Sequence, residues 1–260
     1  MDSWALVLVS NFPYIHKAFQ TAHQARTVGQ WKDPIILLVS RDIYENQNLQ
    51  QQAELLDIEL RLLPEISFEN LLNIWNKNPE ATEYPYVQSR YFQYMKFYCM
   101  DTYFKKWKHI FYIDSGVQIF GPLERVKQSC VPTKCLYAHS DAYPTFEWKL
   151  KRQYDLSLDN SITKNLLETY NLDCNYFQST ILIFDTDIIT DTTVSELFDL
   201  MNKYPISMRN DQGIFNLYFI CEKNLWKQIP ICDTIGFLYD FHERTNLSRN
   251  HYLMLKYPHT

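Results

Sequence analysis

Apolar and polar positions fall along this chain in blocks that predict strands and helices in turn. Short apolar runs of the kind that form buried strands occur at Trp4–Val9, Pro34–Val39 and Ile58–Leu63. Between them lie stretches with helical spacing, Tyr14–Thr27 and Asn46–Leu56, the second opened by a capping asparagine. Strand–helix–strand–helix–strand order predicts right-handed crossovers and a largely parallel sheet. A helix is expected over Ser67–Trp75, a polar loop over Asn76–Pro85 and a long aromatic-rich helix over Gln88–Phe104. That helix leads into the run Ile110–Ile113, which breaks at Asp114-Ser115-Gly116 and resumes as Val117–Phe120. A carboxylate at the carboxyl end of a central strand sits where open α/β sheets bind ligands. Gly116 lets the backbone turn sharply or approach such a ligand closely.

The second half changes character. Leu136–His139 is a further strand, and Pro144–Tyr170 is polar, helical or irregular, and a candidate for a mobile segment over the site. Asn175–Phe184 predicts a strand ending at Asp185, and Thr193–Lys203 a helix closed by Pro205. Asn210–Cys221 predicts a helix with Asn210 as its cap, and Tyr252–Leu255 a last strand. No linker, internal repeat or low-complexity tract divides the chain.

Composition narrows the function classes. A chain of 260 residues with 46% apolar positions is globular and able to bury a large core. A net charge of −5 argues against a nucleic-acid partner, which calls for a basic surface. Five glycines leave no G-x-G-x-x-G and no P-loop, so a phosphate must be held by something other than a glycine-rich cradle. Six cysteines show no C-x-x-C spacing, and Cys99 and Cys221 read as buried thiols. The first residues lack a basic segment and a cleavage site, and no apolar run is long enough to span a bilayer. A soluble, cytoplasmic protein is expected. The 19 tyrosines are free to fill the core or to stack on bases and sugars.

Four stretches, in order, resemble a known family. They are Val9-Ser10-Asn11-Phe12-Pro13-Tyr14, then Lys96 followed by Asp114-Ser115-Gly116, then Phe177-Gln178-Ser179-Thr180, then Asp211-Gln212-Gly213-Ile214-Phe215-Asn216. Together they resemble GT-A-fold glycosyltransferases, nearest to the glycogenin-like retaining enzymes of family 8. The resemblance implies a single α/β domain over residues 1–260, with a mainly parallel mixed sheet flanked by helices. Its nucleotide-binding half would be 1–121 and its acceptor and catalytic half 122–260. It implies transfer of a sugar from a nucleotide-sugar donor, a UDP-sugar by expectation, to a glycan or glycoprotein acceptor. No membrane span is implied, and a homodimer is left open.

Site residues follow by the same resemblance. Ser10, Asn11 and Tyr14 would hold the nucleotide base. Lys96, with Arg90 a lesser candidate, would face the donor diphosphate or sugar. Asp114, Ser115 and Gly116 would stand for the family's D-x-D motif, and Gln178 would lie under the donor sugar. Asp211 and Gln212 would face the anomeric carbon, and Lys256 would reach the diphosphate. A divalent metal is implied, Mn²⁺ by expectation and Mg²⁺ as the alternative, held by Asp114 and a tail histidine, His259 or else His251. The chain departs from the pattern at Gly116, which removes one carboxylate from the metal, and at Thr180, which narrows the sugar space. These departures motivate the alternative of a catalytically inactive protein that binds a sugar nucleotide or a glycan. A metal-dependent hydrolase or nucleotidyltransferase would need clustered carboxylates, and besides Asp114 only Asp185, Asp187 and Asp211 are on offer.

Overall fold

A computed structural model describes residues 3–69, 71–73, 87–157, 160–241 and 248–257. The loop expected at 76–85 and His259 lie outside them. Strands β1 (Trp4–Ser10), β2 (Ile35–Val39), β3 (Ile58–Leu62), β4 (His109–Ile113), β6 (Leu136–Ser140), β7 (Phe177–Asp185) and β8 (Trp226–Gln228) form one sheet, in the order β3-β2-β1-β4-β7-β6-β8. β1 is parallel to both β2 and β4, and β2 to β3, whereas β7 runs antiparallel to β4 and β6. A second sheet sets β10 (Tyr252–Lys256) between β5 (Val117–Ile119), antiparallel, and β9 (Phe237–Phe241), parallel. The helices used below are α1 (Ile15–Arg26), α2 (Gln47–Leu55), α3 (Val87–Tyr94), α4 (Glu124–Ser129), α5 (Asn160–Thr169), α6 (Thr193–Lys203) and α7 (Asp211–Asn216). The mixed, mainly parallel sheet flanked by helices is the architecture expected from the sequence.

All seven residues of β1 are buried because both faces of the sheet are covered. Alternation sends Ala5, Val7 and Val9 into one core with Tyr94, Phe97, Tyr112 and Phe215. Leu6 and Leu8 enter the other core with Ile15, Phe19, Ile35 and Phe111. After β1 the chain winds through β2 to β3 on one side, and then returns to place β4 on the other. The gap between β1 and β4 is therefore a topological switch point, with strand ends that point the same way.

Several elements differ from expectation. The helix expected over Gln88–Phe104 is α3 followed by two stretches of 3₁₀ helix, Met95–Met100 and Thr102–Lys106. Asp101 divides them: its backbone is extended and its carboxylate accepts the Tyr103 N–H at 2.8 Å. Asn210 is not a side-chain cap for α7. Its φ is 48°, and its amide instead donates to Gln93 Oε1 at 2.7 Å. The Pro144–Tyr170 segment packs into the body of the fold, since Leu150, Tyr154 and Leu166 are core residues. Cys99 is buried as expected, but Cys221 is only half-buried. Strands β8 and β9 were not expected at all.

Candidate functional site

The turn after β4 is built around hydrogen bonds to its neighbours. Ser115 Oγ donates to the Val9 carbonyl at 3.1 Å, which ties the turn to the end of β1. The Gly116 N–H donates to Thr21 Oγ1 of α1 at 3.0 Å, and Thr21 passes its own proton to the Val117 carbonyl at 3.1 Å. Gly116 has φ 88°, a left-handed conformation that a side chain would strain. Asp114 is thereby fixed at the mouth of the switch point.

From the other side, α7 is clamped onto β7. Asn216, fully buried, accepts the Phe177 N–H at 2.9 Å and donates to the Phe177 carbonyl at 2.8 Å. On its other side α7 packs closely on Ser207 and Tyr154, where Gly213 leaves no room for a Cβ beside Ser207 Oγ. The clamp delivers Asp211 and Gln212, at the first turn of α7, to the same opening. Gln212 accepts the Ser179 N–H at 3.3 Å and donates to Gln153 at 2.8 Å.

Between these two walls lies a cleft of about 640 Å³, within the range of small-ligand sites. At its centre the Lys96 ammonium is 3.0 Å from Asp114 Oδ1 and 2.9 Å from Asp211 Oδ2. It also donates to the Ser179 carbonyl and Oγ, both at 3.2 Å. Tyr112 donates to Asp114 Oδ1 at 2.6 Å, and Ser179 Oγ to Asp211 Oδ2 at 2.6 Å. Burial alone would lower the Lys96 pKa, but Asp114 and Asp211 outweigh it and raise the ammonium above the lysine range. Burial pushes Asp211 above the usual carboxylate range, and Lys96 and the Ser179 hydroxyl offset only part of that. Both shifts favour bound protons, as expected of one cation shared between two carboxylates.

The remaining residues are placed as follows. Ser10, Asn11, Tyr14, Ser115, Gln212 and Lys256 all line the cleft, with Tyr14 42% exposed at its edge. Lys256, the last residue of β10, lies opposite Val117 in register and donates to the Ser115 carbonyl at 2.7 Å. Arg90 and Arg209 also line the cleft, so that among the described residues it holds four cationic side chains against two carboxylates, on a chain of net charge −5.

Gln178 does not reach the cleft. It is buried, donating to Asp141 at 2.9 Å and accepting from Tyr239 at 3.1 Å. His251 is exposed at the opposite end of β10 from Lys256, about 16 Å away by the rise of a strand. Asp185 and Asp187 pair with Lys108 at the far end of β7, so among the described residues they add no carboxylate to the cleft. Sequence reasoning missed Tyr112, Ser179, Gln93 and Asn210. Tyr112 had a signal: two positions before Asp114 on a strand, it shares that residue's face.

Among the described residues Asp114 is the one expected metal ligand at the cleft, His259 lying outside them. Among the described residues no group of three His, Cys, Asp or Glu side chains converges. Asp114 Oδ1 already holds an ammonium and a phenol, Asp211 is buried against the same ammonium, and position 116 is shaped for glycine.

No protein-family model matches this sequence, and no curated protein matches it. Solved structures do. The apo WbbM bifunctional glycosyltransferase is 15% identical over 98% of this chain and 45% of its own, with TM-score 0.61. The galactosyltransferase LgtC, solved with donor and acceptor sugar analogues, is 10% identical over 97% of this chain and 86% of its own, with TM-score 0.61. Core-mannan synthase A of Aspergillus fumigatus, in its Mn/GDP form, is 12% identical over 88% of this chain and 73% of its own, with TM-score 0.52. The chain thus spans less than half of the first and most of the other two. At these identities the likeness is one of fold, and it extends over nearly every described element: the chain has the fold of the GT-A glycosyltransferases.

Proposed function

We propose that this protein transfers a sugar from a nucleoside-diphosphate-sugar donor, a UDP-sugar in the first instance, to a glycan or protein acceptor. One observation carries the proposal: a buried lysine held about 3 Å from two carboxylates contributed by separate elements, Asp114 and Asp211, at the switch point of the sheet. The excess of cations in the cleft of an acidic chain suits an anionic donor.

The proposed reaction breaks the bond from C1 of the sugar to the diphosphate, and the electron pair goes to the phosphate oxygen. The acceptor oxygen bonds C1, and its proton leaves with the diphosphate. Negative charge grows on the leaving group, and Lys96 and Lys256 face it. Positive charge grows at C1, and Asp211 and the Gln212 amide oxygen face that. Tyr14 offers its exposed ring to the base, with Ser10 and Asn11 beside it, and Asp114 and Ser115 are placed for the ribose. Retention at C1 is the outcome expected from the resemblance to family 8.

The test is a panel of UDP- and GDP-sugars scored for release of the nucleoside diphosphate, with Mn²⁺ and with chelator in parallel. Release from one donor, raised by an added acceptor, supports the proposal. Nucleotide binding without release from any donor would make the chain a non-catalytic binder.

A further inference from the structure

A diphosphate in this cleft would meet an unusual balance of charge beside Gly116. Divalent ions at phosphates are commonly held by one or two carboxylates together with the phosphate oxygens. Here the strand β10 ends at Lys256, directly across from Val117, and its ammonium sits 2.7 Å from the Ser115 carbonyl. A cation thus already occupies the backbone acceptor next to the position where a second carboxylate would stand. That position is a glycine with φ 88°, its N–H tied to Thr21. The Asp114 carboxylate is shared with Lys96 at 3.0 Å and with the Tyr112 hydroxyl at 2.6 Å.

The groups acting on Lys256 are Asp114, Lys96 and Lys17, and Asp114 alone among them is attractive. Lys17 stands on α1 with its ammonium 5.1 Å from the Tyr14 ring. Lys96 divides its charge between Asp114 and Asp211. Lys256, buried enough that desolvation lowers its pKa, is therefore short of a counter-ion. An anion with several oxygens, reached from the Tyr14 side of the cleft, supplies one.

We infer that the diphosphate of the donor is bound here without a divalent ion, its charge met by the ammonium groups of Lys256 and Lys96, which both line the cleft. The inference rests on the nucleotide-sugar reading above. It makes Lys256 a binding residue whose loss a metal ion does not repair.

Calorimetry with UDP and GDP as probes tests this on the full chain, in chelator and in Mn²⁺. The wild-type affinity is expected to be the same in both. Lys256→Met is expected to weaken it about tenfold to a hundredfold in both, the range for losing a charge-assisted hydrogen bond. Affinity that falls in chelator and returns with Mn²⁺ overturns the inference and leaves the transferase reading standing. Undiminished binding by a folded Lys256→Met protein also overturns it. If that variant does not fold, the chelator comparison on the wild type decides alone. Failure of both nucleotides to bind in both conditions overturns the inference together with the reading beneath it.

Discussion

Replacing Asp211 with asparagine tests the role proposed for this residue in the reaction separately from its part in the fold. The substitution keeps an oxygen that can accept from Ser179 and removes one negative charge 2.9 Å from the Lys96 ammonium. At an effective dielectric constant of about 20, that attraction is about 6 kcal/mol before desolvation. The raised pKa of Asp211 shows that desolvation more than cancels it. Lys96 is not orphaned by the change, because Asp114 remains 3.0 Å away. Urea unfolding at neutral pH is therefore expected to show Asp211→Asn at least as stable as the wild type. Turnover of a competent donor should fall by about two orders of magnitude or more, the scale of removing one preorganised electrostatic stabiliser. Nucleotide affinity should hardly move. Lys96→Met is the contrasting variant: it leaves two carboxylates facing each other and should cost about 3–5 kcal/mol. Asp211→Asn with intact turnover, or with lost nucleotide binding, would refute the assignment.

Tyr14→Ala should weaken nucleotide binding by about 1–3 kcal/mol, the range for a base–aromatic stack, and calorimetry with no change would return the ring to a surface role. Asn210→Gly should stabilise the fold by about 1 kcal/mol, because its φ of 48° and ψ of −117° suit glycine, while lowering turnover; chemical denaturation paired with the release assay checks both. The bidentate pair of Asp233 with Arg125, at 2.6 and 2.7 Å, holds the Asp233 pKa down to about 2. A depressed carboxylate stabilises above its unfolded pKa, so this pair should contribute on the order of 2 kcal/mol at neutral pH and lose it between about pH 4 and pH 2; Asp233→Asn should therefore be destabilising at pH 7 and near neutral at pH 2 by urea titration.

The parts of the site legible in the sequence were those that local pattern determines. Asp114 follows a run of buried strand residues, and Asp211 opens a helix whose apolar positions face inward, so strand end and helix start locate both. Lys96 was named by the family resemblance, which places a lysine on the element before that strand, and not by local pattern. Gln178 failed for a physical reason: all nine residues of β7 are buried, so period-two alternation gives no outward face to assign. Its amide was then claimed by Asp141 and Tyr239, both distant in sequence. His251 failed because proximity to Lys256 along the chain is separation in space once the segment is a strand. Asn210 was taken for a cap on local grounds, but Gln93, from the opposite wall, recruits its amide. The three-residue β8 and the Asp-interrupted β9 carry too little apolar pattern to be seen before their partners are known.

The start of α7 concentrates features that work against stability. Asn210 holds a backbone conformation that costs about 1–3 kcal/mol, and its Oδ1 has no hydrogen-bond partner among the described residues. Asp211 is buried with its charge. Such a segment persists only where its surroundings over-determine it, and here they do. Ser207 Oγ donates to the Asn210 carbonyl at 2.7 Å, Tyr154 donates to the Gly213 carbonyl at 2.6 Å, and Asn216 locks the far end of the helix to β7. None of these bonds is needed to bury the apolar face of α7, which Ile214 and Phe215 already achieve. They fix two atoms instead, Asp211 Oδ2 and the Gln212 amide oxygen, against Lys96 and Ser179. A helix start built this way keeps its carboxylate in place before any ligand arrives, which is what electrostatic stabilisation of a short-lived charge requires.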